Sequence, residues 1–404
     1  MKRVVITGIG LATPIGCSKE GFLSNLCNGV MNLYPLNLLI DDTEINVKKA
    51  CFVHNIDEEF EALNINSMRF LDRANKLTLI AAKKSVLDSA SEDCSEWNLV
   101  FGEPTTFGGI CTESSVRIAE REGLSNLDPF FIPKKLPTTQ LVQITKALGI
   151  HGYACNAAGV CTSGIHALIT LYNQIQCGQC EIGLAGATDS AITRLSIKGF
   201  QSIHVISTNG NSVPFDKNRN GFILSEGSAF FVIESLEHAL KRRAKIYAEI
   251  TGFASTSDGY DVLRQDPSGN YGKKAMIKSL KMAKLLSNDI SAISAHGTGT
   301  IVNDMIESKN IKEIFGNVPV MAIKSCIGHT LGASGALSIA ASLLCMNNNV
   351  VPGIRGYKEQ GIDDASINIS AITRKHDINN IMINAYGFGG LNTSMILSKR
   401  GQTI

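Results

Sequence analysis

Five residues near the start of the chain, Ile6-Thr7-Gly8-Ile9-Gly10, return 244 positions later as Ile250-Thr251-Gly252-Phe253-Ala254. Each copy lies in an apolar run that reads as a buried strand, and the second follows a basic helix end, "LKRRAKIYAEI". The echo predicts a duplicated α/β unit whose two halves open on the same kind of strand. The division falls near Arg243, giving residues 1–243 and 244–404. No Pro/Ser-rich linker lies there, so the halves are expected to pack as one body.

The rest of the chain fits such a unit. "RVVITGIG", "WNLVFGE" and "EIGLAGATDS" read as strands, while "LDRANKLTLIAAKKSVLDSA" and "GIHALITLYNQIQCG" carry apolar residues at helical spacing, the second closed by Gly178. Short β-branched runs alternating with helical stretches predict an α/β fold with buried strands and covering helices. A hydrophobic content of 44% against 18% charged residues supports a large core. The net charge of +2 argues against bulk nucleic-acid binding and leaves room for a local basic patch that docks an acidic partner.

The opening "MKRVVITGIGLATPIG" has the basic start of a signal peptide, but Gly8 and Gly10 make it a strand entering a turn. The apolar stretch Ala333 to Met346 is too short to span a bilayer. The expectation is a soluble, cytoplasmic chain with no membrane contact. Eleven cysteines, odd in number and irregular in spacing, read as reduced thiols and not as a disulfide framework. Cys177 and Cys180 form a Cys-x-x-Cys with no second pair, so no metal site is expected.

One thiol stands apart. In "NAAGVCTSGIHAL", Cys161 lies between a small-residue strand and the start of a helix, with Thr162 or Ser163 as candidate caps. Such a corner places the sulfur near the positive end of a helix dipole, which favours thiolate, and its backbone N–H groups can hold an oxyanion. The other reading is a buried, inert cysteine. "SAISAHGTGT" adds His296, and "AIKSCIGHTLGASGAL" adds Lys324 and His329, each at the end of a strand-like run beside glycines. A single such histidine could equally be a satisfied core residue. Taken together, these residues suit thioester chemistry: the thiolate takes an acyl group and neutral imidazoles hold a developing enolate oxygen. In "INAYGFGGLNTSMIL", Gly387, Gly389 and Gly390 form a loop around Phe388, which reads as a tight turn, an oxyanion donor or a gate.

At this point the chain resembles the elongating β-ketoacyl-acyl-carrier-protein synthases of type I/II (KAS II-like), members of the thiolase superfamily. The resemblance rests on "RVVITGIGLATPIG", "DPFFIP", "VCTSGIHAL", "VPFDKNRNGFILSEGSA", "AHGTGT", "KSCIGHTLGASGA" and "NAYGFGGLNTS", in the family's order. It implies the thiolase fold, two pseudo-duplicated βαβαβ halves in five αβαβα layers. It implies that Cys161 carries the acyl chain as a thioester, and that His296 and His329 support decarboxylation of malonyl-carrier protein. Lys324 would order the site, and Thr298 and Thr300 would contact the phosphopantetheine arm. The N–H groups of Cys161 and Phe388 would form the oxyanion hole, with the Phe388 ring as gate. Asp304 and Glu307 would support local structure. No cofactor is implied beyond the phosphopantetheine of the carrier protein. The implied partners are acyl carrier protein and a second subunit, in a homodimer or in a heterodimer with a chain-length-factor-like chain.

Several positions depart from the family pattern. Ser338 stands where a glutamate near the active-site lysine is usual. "GEPTTFGG" places bulky Phe107 beside Phe388 in the expected acyl pocket, which predicts short or flat unsaturated acyl chains. "LSNLD" replaces the basic residues before "PFF", so Lys134, Lys135, Arg69 and Arg73 become the candidate carrier-protein docking cations. "SDGYDVLRQD" replaces a "SDAYH"-like segment. These changes suit a specialised polyketide or polyene pathway, with housekeeping fatty-acid elongation as the alternative. A non-catalytic chain-length-factor-like subunit would lack Cys161. A biosynthetic thiolase would carry a second cysteine in the C-terminal Gly-rich motif, and "YGFGGLN" has none. A cysteine hydrolase would need a water-activating group that nothing here supplies.

Overall fold

The computed structural model describes residues 2–36, 45–65, 71–91, 93–105, 109–361 and 365–399, with the backbone alone for 109–112. Ten strands form the principal sheet: β1 (Val4–Ala12), β2 (Asn98–Gly102), β3 (Ala154–Ala157), β4 (Ile182–Ser190), β5 (Glu226–Ser235), β6 (Ala248–Ser257), β7 (Ala292–Ser294), β8 (Val320–Met321), β9 (Asn380–Gly387) and β10 (Leu391–Ser398). Their order is β8-β7-β9-β10-β6-β1-β5-β4-β2-β3. Read outward from the centre, one side runs β1-β5-β4-β2-β3 and the other β6-β10-β9-β7-β8. Corresponding neighbours pair in the same sense: the inner two pairings are antiparallel and the outer two parallel. The sides meet where Val5 faces Glu249 and Ile6 faces Ala248.

The echoed pentapeptide has a shared structural cause. The register of β1 against β5 shifts between Ile6 and Gly8, leaving Thr7 as a bulge, and that of β6 against β10 shifts so as to leave Thr251. The glycine after each bulge lies under a helix. A Cβ on Gly8 would sit 2.3 Å from the Ser85 carbonyl oxygen of α1 (Arg73–Ser89), and one on Gly252 would sit 2.3 Å from that of Ser279 in α4 (Asn270–Ala283). These helices form the two outer layers. Within the first half, α2 (Gly109–Glu122) follows β2.

The middle layer contains α3 (Ser163–Gln176) and α6 (Ser334–Asn348). Their apolar faces share one core with β1, β4, β5 and β9. Helix α6 is buried on every side from Ser334 to Met346, as befits a helix packed against strands from both sides of the sheet. Each of these helices is entered through the same turn. Val160 has φ +52° before Cys161, and Leu331 has φ +45° before Gly332; Ser-Gly follows in both, as Ser163-Gly164 and Ser334-Gly335. The two starts cross at the glycines. A Cβ on Gly164 would meet the Ala336 backbone nitrogen at 2.6 Å, and one on Gly335 would meet Ile165 Cγ1 at 2.8 Å.

Gly164→Ala is therefore expected to cost about 1–3 kcal/mol, because a backbone atom cannot yield as a side chain can. The control is Gly199→Ala in the helix Arg194–Ser202, where nothing lies within 4 Å and helix propensity favours alanine. Urea denaturation should lower the midpoint for Gly164→Ala only, with unchanged slope. Equal midpoints would mean that the crossing is not close-packed.

Candidate active site

Three strand ends and two helix starts bring the site together. Cys161 sits in the short 3-10 turn Val160–Thr162 that leads into α3 and is 3% exposed. A β-branched valine in the left-handed region is strained, so the turn persists only because its surroundings hold it. Thr162, expected as a helix cap, makes no capping bond; its hydroxyl donates back to the Gly159 carbonyl at 2.7 Å and closes the elbow. Ser163 does not cap either, being the first helical residue.

His329 Nε2 lies 3.4 Å from Cys161 Sγ. The Leu331 N–H donates to His329 Nδ1 at 3.2 Å, so the ring proton of the neutral imidazole belongs on Nε2, facing the sulfur. His296 follows β7, and its ring centre is 5.6 Å from that of His329. The Lys324 ammonium donates to the His296 carbonyl oxygen and lies 3.4 Å from its Nδ1. That contact leaves the His296 proton on Nε2 as well. Burial, and then the Lys324 charge, hold both imidazoles well below the ordinary histidine range. The site therefore presents two neutral imidazoles in ring contact, with the His329 Nε2–H at the sulfur.

Carboxylates hold the loop that carries His296. Glu307 of α5 (Ile301–Phe315) accepts the His296 N–H at 2.8 Å and the Gly297 N–H at 2.9 Å, and burial pushes it up to about 7. Asn384 of β9 donates to Glu307 at 3.3 Å and accepts from Ser394 at 2.9 Å. Asp304 accepts from the Phe215 and Gly299 N–H groups. Asn384, Ser394 and Phe215 were not singled out in the sequence, because nothing local marks a residue that supports another chain segment.

The dipole argument predicted a thiolate-prone Cys161. Burial instead dominates and pushes the thiol up to about 12, although the Lys324 charge pulls it down and Asp189 pushes it further up. The resting pair is a thiol with a neutral histidine. Lys324 is itself fully buried and is lowered to about 8 by that burial. Among the described residues its ammonium hydrogen-bonds only to His296. Ser338 is buried in α6, where its carbonyl accepts from Ser342.

Lys324 makes a stability prediction. Its folded pKa of about 8 is below the ordinary 10.5. Below pH 8 both folded and unfolded chains hold the proton, and the folded state carries the burial cost in full. Between those values only the unfolded chain holds it, so this residue's cost fades as pH rises. Lys324→Met should thus be more stable than wild type at pH 7. The gain is on the order of 2 kcal/mol: about 3 from the shift, less about 1 for the orphaned His296 carbonyl. The gap should narrow through pH 8 to 10.5 in paired thermal melts. A variant less stable at pH 7 would show that the ammonium is a net stabiliser.

The remaining predicted residues fall as follows. Thr298 and Thr300 join hydroxyl to hydroxyl at 2.8 Å in the loop before α5. Phe388 is half-buried in the turn between β9 and β10. That turn meets the first elbow, since a Cβ on Gly387 would lie 3.0 Å from the Gly159 carbonyl oxygen. The Asp258 N–H donates to the Gly390 carbonyl at 2.9 Å, tying a second loop to it. A file of rings runs from Phe388 to Phe200 (6.3 Å), Phe222 (5.8 Å) and His329 (4.7 Å); the sequence did not single out Phe200 or Phe222.

Of the docking cations, Arg73 turns inward. Its guanidinium donates to both oxygens of fully buried Glu226 and to the Val53 carbonyl. Lys134 pairs with Asp128, and Lys135 lies over the Phe131 ring at 4.6 Å. Arg69 and Phe107 lie outside the described residues.

Comparison with known proteins finds relatives along nearly the whole chain. Residues 1–239 match the β-ketoacyl synthase N-terminal domain and residues 247–358 its C-terminal domain. The chain is 32% identical over 412 residues to 3-oxoacyl-[acyl-carrier-protein] synthase 2 of Staphylococcus aureus (strain COL), covering 98% of each. It is 30% identical over 422 residues to the synthase 2 of Rhizobium meliloti (strain 1021), covering 99% of each. The solved ishigamide ketosynthase/chain length factor superposes with a TM-score of 0.90 at 25% identity, over 99% of this chain and 100% of that one. With both family domains matched and the thiolase fold in place around Cys161, the chain belongs to the β-ketoacyl synthases, as a KAS-II-like condensing enzyme of the thiolase superfamily.

Proposed function

We propose that the protein joins a malonyl unit to an acyl group held on Cys161, by decarboxylative Claisen condensation, with both groups delivered on acyl carrier protein. The carrying observation is a pair of neutral Nε2–H imidazoles in ring contact, His296 and His329, with the His329 nitrogen at the sulfur of a strained elbow. Neutral donors suit an enolate; a charged imidazolium would hold the carboxylate that has to leave as carbon dioxide.

In the first half-reaction, Cys161 Sγ bonds to the acyl carbon and the carrier's pantetheine sulfur leaves. The thiol proton ends on that leaving sulfur. His329 donates to Sγ and is not its base. In the second half-reaction, the malonyl carbon–carboxylate bond breaks and releases carbon dioxide. The electron pair becomes an enolate whose oxygen accepts from His296 and His329. The enolate carbon attacks the acyl carbonyl, the N–H groups of Cys161 and Phe388 hold the oxyanion, and collapse expels Sγ as a thiolate, which takes a proton from solvent to restore the thiol, with the β-ketoacyl chain on the carrier. Thr298 and Thr300 guide the pantetheine arm. Opening of the Phe388 turn admits substrate to the buried sulfur.

The same reading divides the chain at Arg243/Ala244 into a nucleophile half and a histidine half. It gives the protein a second subunit, either its own copy or a chain-length-factor-like chain. Support comes from β3, which ends the sheet among the described residues, and from exposed Leu124, Ile132, Val142 and Tyr153, apolar side chains that suit an interface. Lys134 and Lys135 remain the docking cations; Arg73, committed to Glu226, is not one of them, and lines a cavity of about 1060 Å³ with Arg117, Arg121 and Arg194. The substrate is a short or flat unsaturated acyl chain, in a specialised polyketide or polyene pathway or in fatty-acid synthesis.

The test supplies malonyl-carrier protein with six-carbon or sixteen-carbon acyl-carrier protein and measures carbon dioxide and β-ketoacyl product. Product in equal amount to carbon dioxide is expected, with the six-carbon chain favoured and Phe107→Ala extending the range. Carbon dioxide without product would leave a decarboxylase and overturn condensation. Equal use of both chains would overturn the substrate reading alone.

A further inference from the structure

The two matching elbows end differently. Cys161 follows the positive-φ residue in the first, and Gly332 follows it in the second. At the second elbow the corresponding N–H is closed by protein. Gly332 donates at 3.0 Å to Oδ2 of Asp189, a buried residue near the end of β4. The same oxygen accepts the Thr105 N–H at 2.7 Å. One carboxylate thus ties the end of the β2 segment to the second elbow.

The turn Glu103–Thr105 is held from both sides. The Glu103 N–H donates to the Ala157 carbonyl of β3 at 3.0 Å. On the other side Gly332 leaves no room: a Cβ there would lie 2.7 Å from the Glu103 carbonyl oxygen, 3.1 Å from Pro104 Cα and 3.1 Å from Asp189 Oδ2. The turn also adjoins the nucleophile, since a Cβ on Gly102 would sit 2.7 Å from the carbonyl oxygen of Ser163, two residues past Cys161. Gly102 leads into the turn, so the turn is a wall next to the helix start that carries Cys161. A carboxylate that two backbone donors require, between two halves of a duplicated fold, sets the position of that wall.

We propose that Asp189 is a positioning residue for acyl selection: by clamping the Glu103–Thr105 turn to the second elbow, it fixes the wall against which the acyl chain on Cys161 is measured. The proposal rests on Cys161 being the acyl carrier. Its readout is a ratio between chains, which a general loss of stability does not move.

The experiment incubates enzyme with an equal mixture of six-carbon and sixteen-carbon acyl-carrier protein and reads the ratio of the two adducts on Cys161 by mass spectrometry. Asp189→Ala is expected to shift that ratio by about fivefold or more from wild type, as a displaced pocket wall does. Asp189→Asn keeps an amide oxygen that can accept both N–H groups and is expected to restore the ratio to within about twofold. If Asp189→Ala does not fold, Gly332→Ala displaces the same turn from the opposite side and is expected to shift the ratio likewise. An unmoved ratio in the folded variant, or an asparagine variant that behaves as the alanine one, overturns the clamp. Absence of any adduct on wild-type Cys161 overturns the acyl-enzyme reading, and the clamp's role with it. An adduct with an unmoved ratio sinks the clamp alone.

Discussion

Cys161→Ala is expected to abolish condensation, with a loss on the order of 10⁴–10⁶ in rate, as when a covalent nucleophile is removed. Incubated with acyl-carrier protein, the wild type should gain one acyl group, on Cys161, and the variant none. The choice of sulfur follows from the surroundings. Cys51, Cys326 and Cys345 are as deeply buried, and burial raises each of their thiols, yet none has a histidine N–H at hydrogen-bonding distance among the described residues. Cys161 sits at an elbow with a left-handed valine before it, with His329 at its sulfur and the His296 ring against that of His329. An acyl group on another cysteine, or an adduct retained in the alanine variant, would overturn the assignment.

The second large effect belongs to the histidines. His296→Ala or His329→Ala should each cost about 10²–10³ in condensation, the usual loss for one oxyanion donor in a water-excluded site. Acyl transfer to Cys161 should survive better than condensation, because the enolate forms only in the second half-reaction. The geometry separates the two variants further. His329 touches the sulfur at 3.4 Å, so its loss should slow acylation more than that of His296, whose Nδ1 faces Lys324. Single-turnover acylation and carbon dioxide release measure the halves independently. Proportional loss of both, together with a lowered melting temperature, would make the histidines structural.

The echoed pentapeptide was legible because it encodes a local demand repeated twice. A bulged threonine and a glycine under a helix are needed wherever this strand meets its covering helix, so the same residues recur. Cys161, His296, Lys324 and His329 were legible for a similar reason: each lies at a strand end or turn whose glycines mark close backbone approach. The second elbow was less so. "LGASGA" and "VCTSGI" share only Ser-Gly, and their likeness is one of backbone, with Val160 and Leu331 both in the left-handed region. The hydroxyl of Thr162 closes the elbow and caps no helix end, a choice between two nearby carbonyl and N–H groups that composition does not make.

What the chain determined by itself was residue chemistry and short-range geometry: which strands start alike, where turns fall, which side chains carry nucleophile, donor and cation. These depend on backbone sterics and on spacing along a few residues, and both are written locally. Distance between remote segments was not written there. Cys161 and His329 are 168 positions apart, and only the crossing of α3 and α6 at Gly164 and Gly335 brings Sγ and Nε2 to 3.4 Å. Tertiary structure also reversed the expected ionisation. A helix start favours thiolate when the sulfur is wet, but full enclosure removes the water that would stabilise the charge, and the thiol rises to about 12. The same enclosure keeps both imidazoles neutral, and the donors on their Nδ1 atoms, the Leu331 N–H and the Lys324 ammonium, leave both protons on the Nε2 atoms. Enclosure depends on every segment that packs around the site, so the protonation pattern on which the chemistry runs belongs to the folded whole.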